Sequence, residues 1–227
     1  MVNETTYTFD VFGLYNGLFV MADRISGSVW THYDGRVLTG ELAGKDFLLQ
    51  IEPIIHTTWE QWVSLYPETT VLDWYPEFVD RYRKIEPGRG GLGPQFQRTL
   101  LNIDERLPGN ELVLGVSSGS SERAYVLADF GEQPTVLHDT LGEQPIVIFL
   151  QGKNTYALAF SRHVVGEVLQ FSMEGESIVD ASGTQWDWTG RAVAGPLEGA
   201  QLDYVTSFVT EWYGWAAYHP GTSIFGR

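Results

Sequence analysis

The chain has no cysteine, three lysines, three methionines and half as many basic as acidic residues. Without cysteine there can be no disulfide, thiolate nucleophile, iron–sulfur cluster or cysteine-type zinc site. No apolar run approaches the roughly 18–20 residues that a helical membrane span needs. The 14 basic residues face 29 acidic ones, leaving a formal net charge of −15. Such a field repels phosphate backbones, so nucleic acid is not an expected partner. The first residues carry neither a basic segment nor an apolar stretch of the signal-peptide kind. Five histidines (His32, His56, His138, His163, His219) are scattered without ligand spacing, so neither a metal nor another cofactor is expected.

What is present is aromatic and repetitive. Eight tryptophans occur in 227 residues, and six fall into matching pairs. One segment reads Asp23, Gly27, Trp30, Gly35, Arg36, Gly40, Leu42, Gly44, Thr57, Trp59, Trp62, Pro67, Thr69. A later one reads Asp180, Gly183, Trp186, Gly190, Arg191, Gly195, Leu197, Gly199, Thr210, Trp212, Trp215, Pro220, Thr222. An internal correspondence of this length sets architecture before any local detail.

Between these landmarks, short runs of Val, Ile, Tyr and Phe alternate with Gly, Pro, Asp and Asn, the pattern of a mostly β protein. Expected strands include Leu18–Met21, Phe47–Ile51, Val113–Ser117, Ala124–Leu127, Pro145–Leu150, Ala157–Phe160, Val168–Ser172 and Leu202–Val205. Each matched segment is expected to close with one short tryptophan-faced helix. Thr57 with Glu60 makes a capping-box signal, and Trp59, Trp62, Val63 and Tyr66 form one helical face. Thr210 is the expected cap of the second helix, with Trp212, Trp215, Ala216 and His219 on its face. That spacing favours packing of the tryptophans into a core. The expected organisation is two related β units: 1–86, without the front half of its unit, and 111–227, joined by a linker over 87–110.

The runs Phe9 to Asn16 and Asp23 to Trp30 carry a resemblance. So do Val113 to Val116, Ala124-Tyr125, His138 to Gly142, Ala159 to Arg162, and Asp180 to Thr222. Together they resemble the domain of unknown function 3179 family. The resemblance implies two halves of similar plan and a frequent place among exported bacterial and archaeal proteins. It implies no established activity. The family's first half usually opens with an Asn-Asp motif and a Cys-Pro-Leu-Cys segment, which this chain does not contain. The matching place in the second half reads Leu150, Gln151, Gly152, Lys153, Asn154, and the family's Asn-Asp step is His138-Asp139 here.

Two candidate sites follow. Trp74, Tyr75, Arg81 and Tyr82 form an aromatic and basic loop suited to docking, and Trp74 and Trp188 have no counterpart in the other segment. His138, Asp139 and Arg162 could instead form an acid–base site that clamps an anion. The leading expectation is a non-catalytic extracytoplasmic binding or assembly module. It would contact a protein partner, a homo-oligomer or carbohydrate. A small-molecule enzyme using His138, Asp139 and Arg162 is the alternative.

Overall fold

A computed structural model describes residues 2, 4–82, 92–151 and 156–227. Linker residues 87–91 and Gly152 to Asn154 lie outside the described residues. The protein is mostly β, with several antiparallel sheets and a few short helices. In chain order the elements begin with β1 (Phe9–Tyr15), β2 (Leu18–Asp23), β3 (Val29–Thr31) and β4 (Val37–Thr39), an antiparallel meander. Two short helices follow, α1 (Trp59–Leu65) and α2 (Pro94–Gln97), with a 3-10 turn over Pro76–Arg81 between them. Then come β5 (Leu112–Ser118), β6 (Ser121–Val126), β7 (Thr135–Leu141), β8 (Gln144–Gln151) and β9 (Tyr156–Ser161). A small hairpin of β10 (His163–Val164) and β11 (Glu167–Val168) leads into a second meander. That meander is β12 (Phe171–Glu174), β13 (Ser177–Asp180), β14 (Gln185–Trp186) and β15 (Ala192–Ala194). The described chain ends with β16 (Tyr204–Val205), β17 (Ser207–Glu211), α3 (Trp212–Tyr218) and β18 (Ser223–Ile224).

The core is layered. One sheet runs β17-β5-β6-β18 and another β16-β9-β8-β7. Side chains alternate faces along a strand, and β8 uses both faces. Ile146, Ile148 and Leu150 meet Leu114, Val116 and Tyr125 across the space between the two sheets. Val147 and Phe149 face the other way, onto Phe171, Ile178 and Trp186 of the second meander and onto Leu202 beyond it. The far face of β5 and β6 is covered in turn by Trp212, Trp215 and Ala216 of α3, with Tyr33 and Leu107. Burial on both faces explains why Ile146 to Leu150 is an unbroken apolar run.

The two meanders share atomic detail. The Trp30 indole donates to Asp23 at 2.9 Å, as Trp186 does to Asp180 at 2.9 Å. Ser26 and Ser182 donate their hydroxyls to the same two carboxylates. The backbone N–H of Leu42 donates to Ser28 Oγ, and that of Leu197 to Thr184 Oγ1. Gly40 and Gly195 have φ of 104° and 100°, and a Cβ there would come 2.6 and 2.7 Å from the Cα of Ser28 and Thr184. Positive φ and this close approach together require glycine at both places.

Several sequence expectations shift. The cap of α1 is Thr58, not Thr57, and its capping box is closed by Gln61, not Glu60. Both registers satisfy the spacing rule, and the extended backbone at Thr58 decides between them. At α3 the cap is Glu211 without a side-chain bond; the Thr210 hydroxyl instead accepts from Tyr33 at 3.2 Å. Phe47–Ile51 forms no strand, only an isolated bridge between Arg36 and Leu48. The tryptophans of α1 are not in a core: α1 buries none of its residues, whereas Trp212 and Trp215 are 0% and 1% exposed.

Candidate docking face and the polar residues around it

His138 and Asp139 are neighbours on β7, opposite Val147 and Ile146 of β8. Adjacent residues of a strand point to opposite faces, and these two do. His138 Nε2 accepts from the backbone N–H of Phe171 at 3.0 Å, where β12 begins. Asp139 turns to the other side, where Arg123 pairs with it and the Tyr125 hydroxyl donates at 2.6 Å. Arg162 is buried and donates from Nε to the carbonyl of Leu169 at 2.7 Å. Burial, then the nearby Arg162 charge, lowers the His138 pKa. A neutral imidazole protonated on Nδ1 is what an accepting Nε2 requires. His138 and Arg162 therefore pin the Leu169–Phe171 segment against the sheet. Asp139 belongs to a separate network, so the three side chains do not converge.

The aromatic segment is arranged differently. Pro67 follows α1, and the Trp62 indole donates to Thr69 Oγ1 at 3.0 Å, folding the chain back on the helix. Trp62 and Tyr66 lie ring to ring at 4.5 Å. Further on, Pro76 opens the 3-10 turn, and the Tyr82 hydroxyl accepts from the backbone N–H of Tyr75 at 3.2 Å. Trp74 meets Tyr82 nearly edge-on, with centroids 4.1 Å apart. The Arg81 guanidinium lies 5.3 Å from the Phe78 ring centroid. Trp74, Tyr75, Arg81 and Tyr82 are thus brought together, and all four are exposed, Trp74 by 66%. Trp188 is elsewhere. It is half-buried, its ring edge-on to Phe149 and Tyr156, and its carbonyl accepts the Tyr156 hydroxyl.

Nearby positions in the sequence add further exposed apolar side chains. Val71, Leu72, Phe78 and Val79 are exposed, as are Ile54, Trp59 and Leu65 upstream. Acidic residues Glu52, Glu60, Glu68, Asp73, Glu77 and Asp80 are interspersed, and Arg81 is the one basic residue between positions 50 and 82. The exposed apolar side chains of this segment are thus interspersed with charge of one sign. Helical spacing suggests a core place for the tryptophans of α1, yet none of the residues of that helix is buried. The sequence expectations also omit β1, an edge strand on which Val11, Phe12 and Leu14 are exposed.

A cavity of about 470 Å³ opens between the first meander and β17, lined by Leu18, His32, Tyr33, Ile51, His56 and Phe208 among others. His32 donates from Nδ1 to the Phe19 carbonyl at 2.9 Å. The phenol of Tyr33 is engaged with Thr210. Among the described residues no group of three or more His, Asp or Glu side chains is placed to hold a metal ion. No described helix is long and apolar enough to cross a membrane.

No curated protein and no solved structure matches the chain. The model of one family, described as a protein of unknown function (DUF3179), matches residues 1–222. That match spans nearly the whole length, and the chain belongs to the DUF3179 family.

Proposed function

We propose that the chain is a non-catalytic binding or assembly module, acting outside the cytoplasm, that docks another polypeptide through the acidic aromatic face of residues 50–82. The observation that carries this reading is the exposure of α1 and the Pro76–Arg81 turn, neither of which buries a single residue. Burying apolar surface is worth about 25 cal/mol per Å², so a face left this open is favourable to cover. Trp and Tyr are also the residues that most often anchor protein interfaces. A polypeptide fits better than a sugar, because the neighbours of Trp74 are largely apolar. The exposed β1 edge offers a second route, strand pairing between copies. The extracytoplasmic address rests on the absence of cysteine and on the family resemblance. The reading also takes the two meanders as duplicates of one ancestral unit.

The enzyme alternative is weaker, since Asp139 faces away from His138 and Arg162. Native mass spectrometry of the chain from its own source tests the docking reading. The expected result is a companion polypeptide or a multiple of 25.5 kDa, lost in a Trp74→Ala, Tyr75→Ala double variant. A wild-type chain isolated as a monomer would overturn it.

A further inference from the structure

The second unit shows how a segment like Ile54–Leu65 is covered. There, β17 pairs antiparallel with β5, Phe208 opposite Gly115 and Thr210 opposite Val113, and α3 follows directly. The Trp215 ring lies flat against the strand at Gly115, where a Cβ would come 2.1 Å from its Cε3. The corresponding residues of the first unit are Ile55 for Phe208, Trp59 for Trp212, Trp62 for Trp215 and Thr69 for Thr222. The latch is the same: Trp62 donates to Thr69 at 3.0 Å, and Trp215 to Thr222 at 2.9 Å. What differs is the cover. From Gln50 to Thr57 the chain belongs to no strand and makes no backbone–backbone hydrogen bond among the described residues. Ile55 rests on the core formed by Val147 and Phe149, which anchors the segment, while Ile54 is 69% exposed.

We infer that Ile54–Thr58 and the Trp62 face of α1 form a strand-accepting groove. Its occupant is a β-strand of another protein that carries glycine beneath Trp62, as β5 carries Gly115 beneath Trp215. This rests on the reading of the 50–82 face as a polypeptide-docking surface and names the partner's chemistry. Backbone groups of Ile54–Thr58 supply the ladder, and the indole selects glycine because any side chain would occupy the ring's place. The charge of the face selects the flanks. Six carboxylates against one guanidinium between positions 50 and 82 favour a strand bordered by lysine or arginine. They disfavour a second copy of this chain, which carries −15 itself.

The probe is a labelled synthetic peptide with the Leu112–Ser118 sequence flanked by lysines, titrated into the full chain by fluorescence anisotropy. It is expected to bind saturably, and binding should weaken about tenfold or more when its glycine is replaced by leucine. Amide hydrogen exchange at Ile54–Thr58 should slow in the complex. A Glu60→Lys, Glu68→Lys variant, which leaves Trp62 in place, should bind the lysine-flanked peptide more weakly. Equal binding of the leucine peptide, protection confined to β17, or no binding would each overturn the inference. A partner found by native mass spectrometry alongside a failed peptide would leave the docking face standing and remove the strand groove alone.

Discussion

Trp215→Ala is expected to destabilise the protein by about 3–5 kcal/mol, the usual cost of deleting a large buried aromatic. Trp62→Ala, the same substitution at the matching place in α1, should cost less, about 1–2 kcal/mol, because that indole is only half-buried. Both indoles make the same hydrogen bond to a threonine hydroxyl, so that bond cancels in the comparison. What remains is burial: Trp215 is 1% exposed and is packed against Phe208, His219 and the backbone of Gly115. Trp62 is only partly buried, with its ring beside that of Tyr66. Urea unfolding of the two variants measures the difference directly. Similar losses would mean that α1 is as well covered in solution as α3, and the docking face would not exist.

Asp180→Ala should be the second large loss, about 3 kcal/mol or more, because it strands several buried donors at once. The Asp180 carboxylate accepts from the backbone N–H groups of Ser182 and Thr184, the Ser182 hydroxyl and the Trp186 indole. Asp180→Asn should be milder. Its amide oxygen can keep the Ser182 and Thr184 bonds, but its NH₂ then confronts the indole N–H. The twin network has a pH signature. Burial pushes the Asp23 carboxyl up, but hydrogen bonds from Ser26, Trp30 and Ile25 outweigh it and hold the pKa at about 2, against 3.8 for the free group. A depressed carboxylate stabilises above its unfolded pKa and loses that contribution as pH falls through the folded value. Asp23 therefore contributes about 2 kcal/mol above pH ~4, which disappears towards pH ~2. Urea midpoints measured between these limits should fall steeply in the wild type and less steeply in Asp23→Asn.

The fold class was legible because strand periodicity and glycine punctuation are local. The paired tryptophans were legible too, but not their fates. Trp59 and Trp62 have the spacing of Trp212 and Trp215, and spacing says which residues share a face without saying what lies opposite. Only the sheet beneath α3 separates the two helices. The cap of α1 slipped by one residue because Thr57-Thr58 and Glu60-Gln61 offer two registers of one motif. Phe47–Ile51 has strand composition, yet a strand needs a neighbour to pair with, and pairing is a long-range property. The split of His138 from Asp139 could have been read from the sequence had 135–141 been recognised as a strand, since neighbours there must diverge. Trp188 was singled out for lacking a repeat partner, but its rings of contact, Phe149 and Tyr156, come from β8 and β9, far away in sequence.

The closing strands carry a consequence for how the protein is made. β17 pairs with β5 across roughly ninety positions of chain, and β18 runs parallel to β6, aligning Ser223 with Arg123. Arg106 also reaches the Thr222 carbonyl at 2.9 Å. During synthesis, β5 and β6 emerge long before these partners exist. The β5–β6 pair waits with both edges unpaired until the ribosome has released residues 207–224, while the β1–β4 meander, whose strand pairings are local, can form at once. Contacts of such long sequence separation fold slowly and expose edges meanwhile. Between making Val126 and making Ile224, those open edges are what a neighbouring nascent chain could pair with.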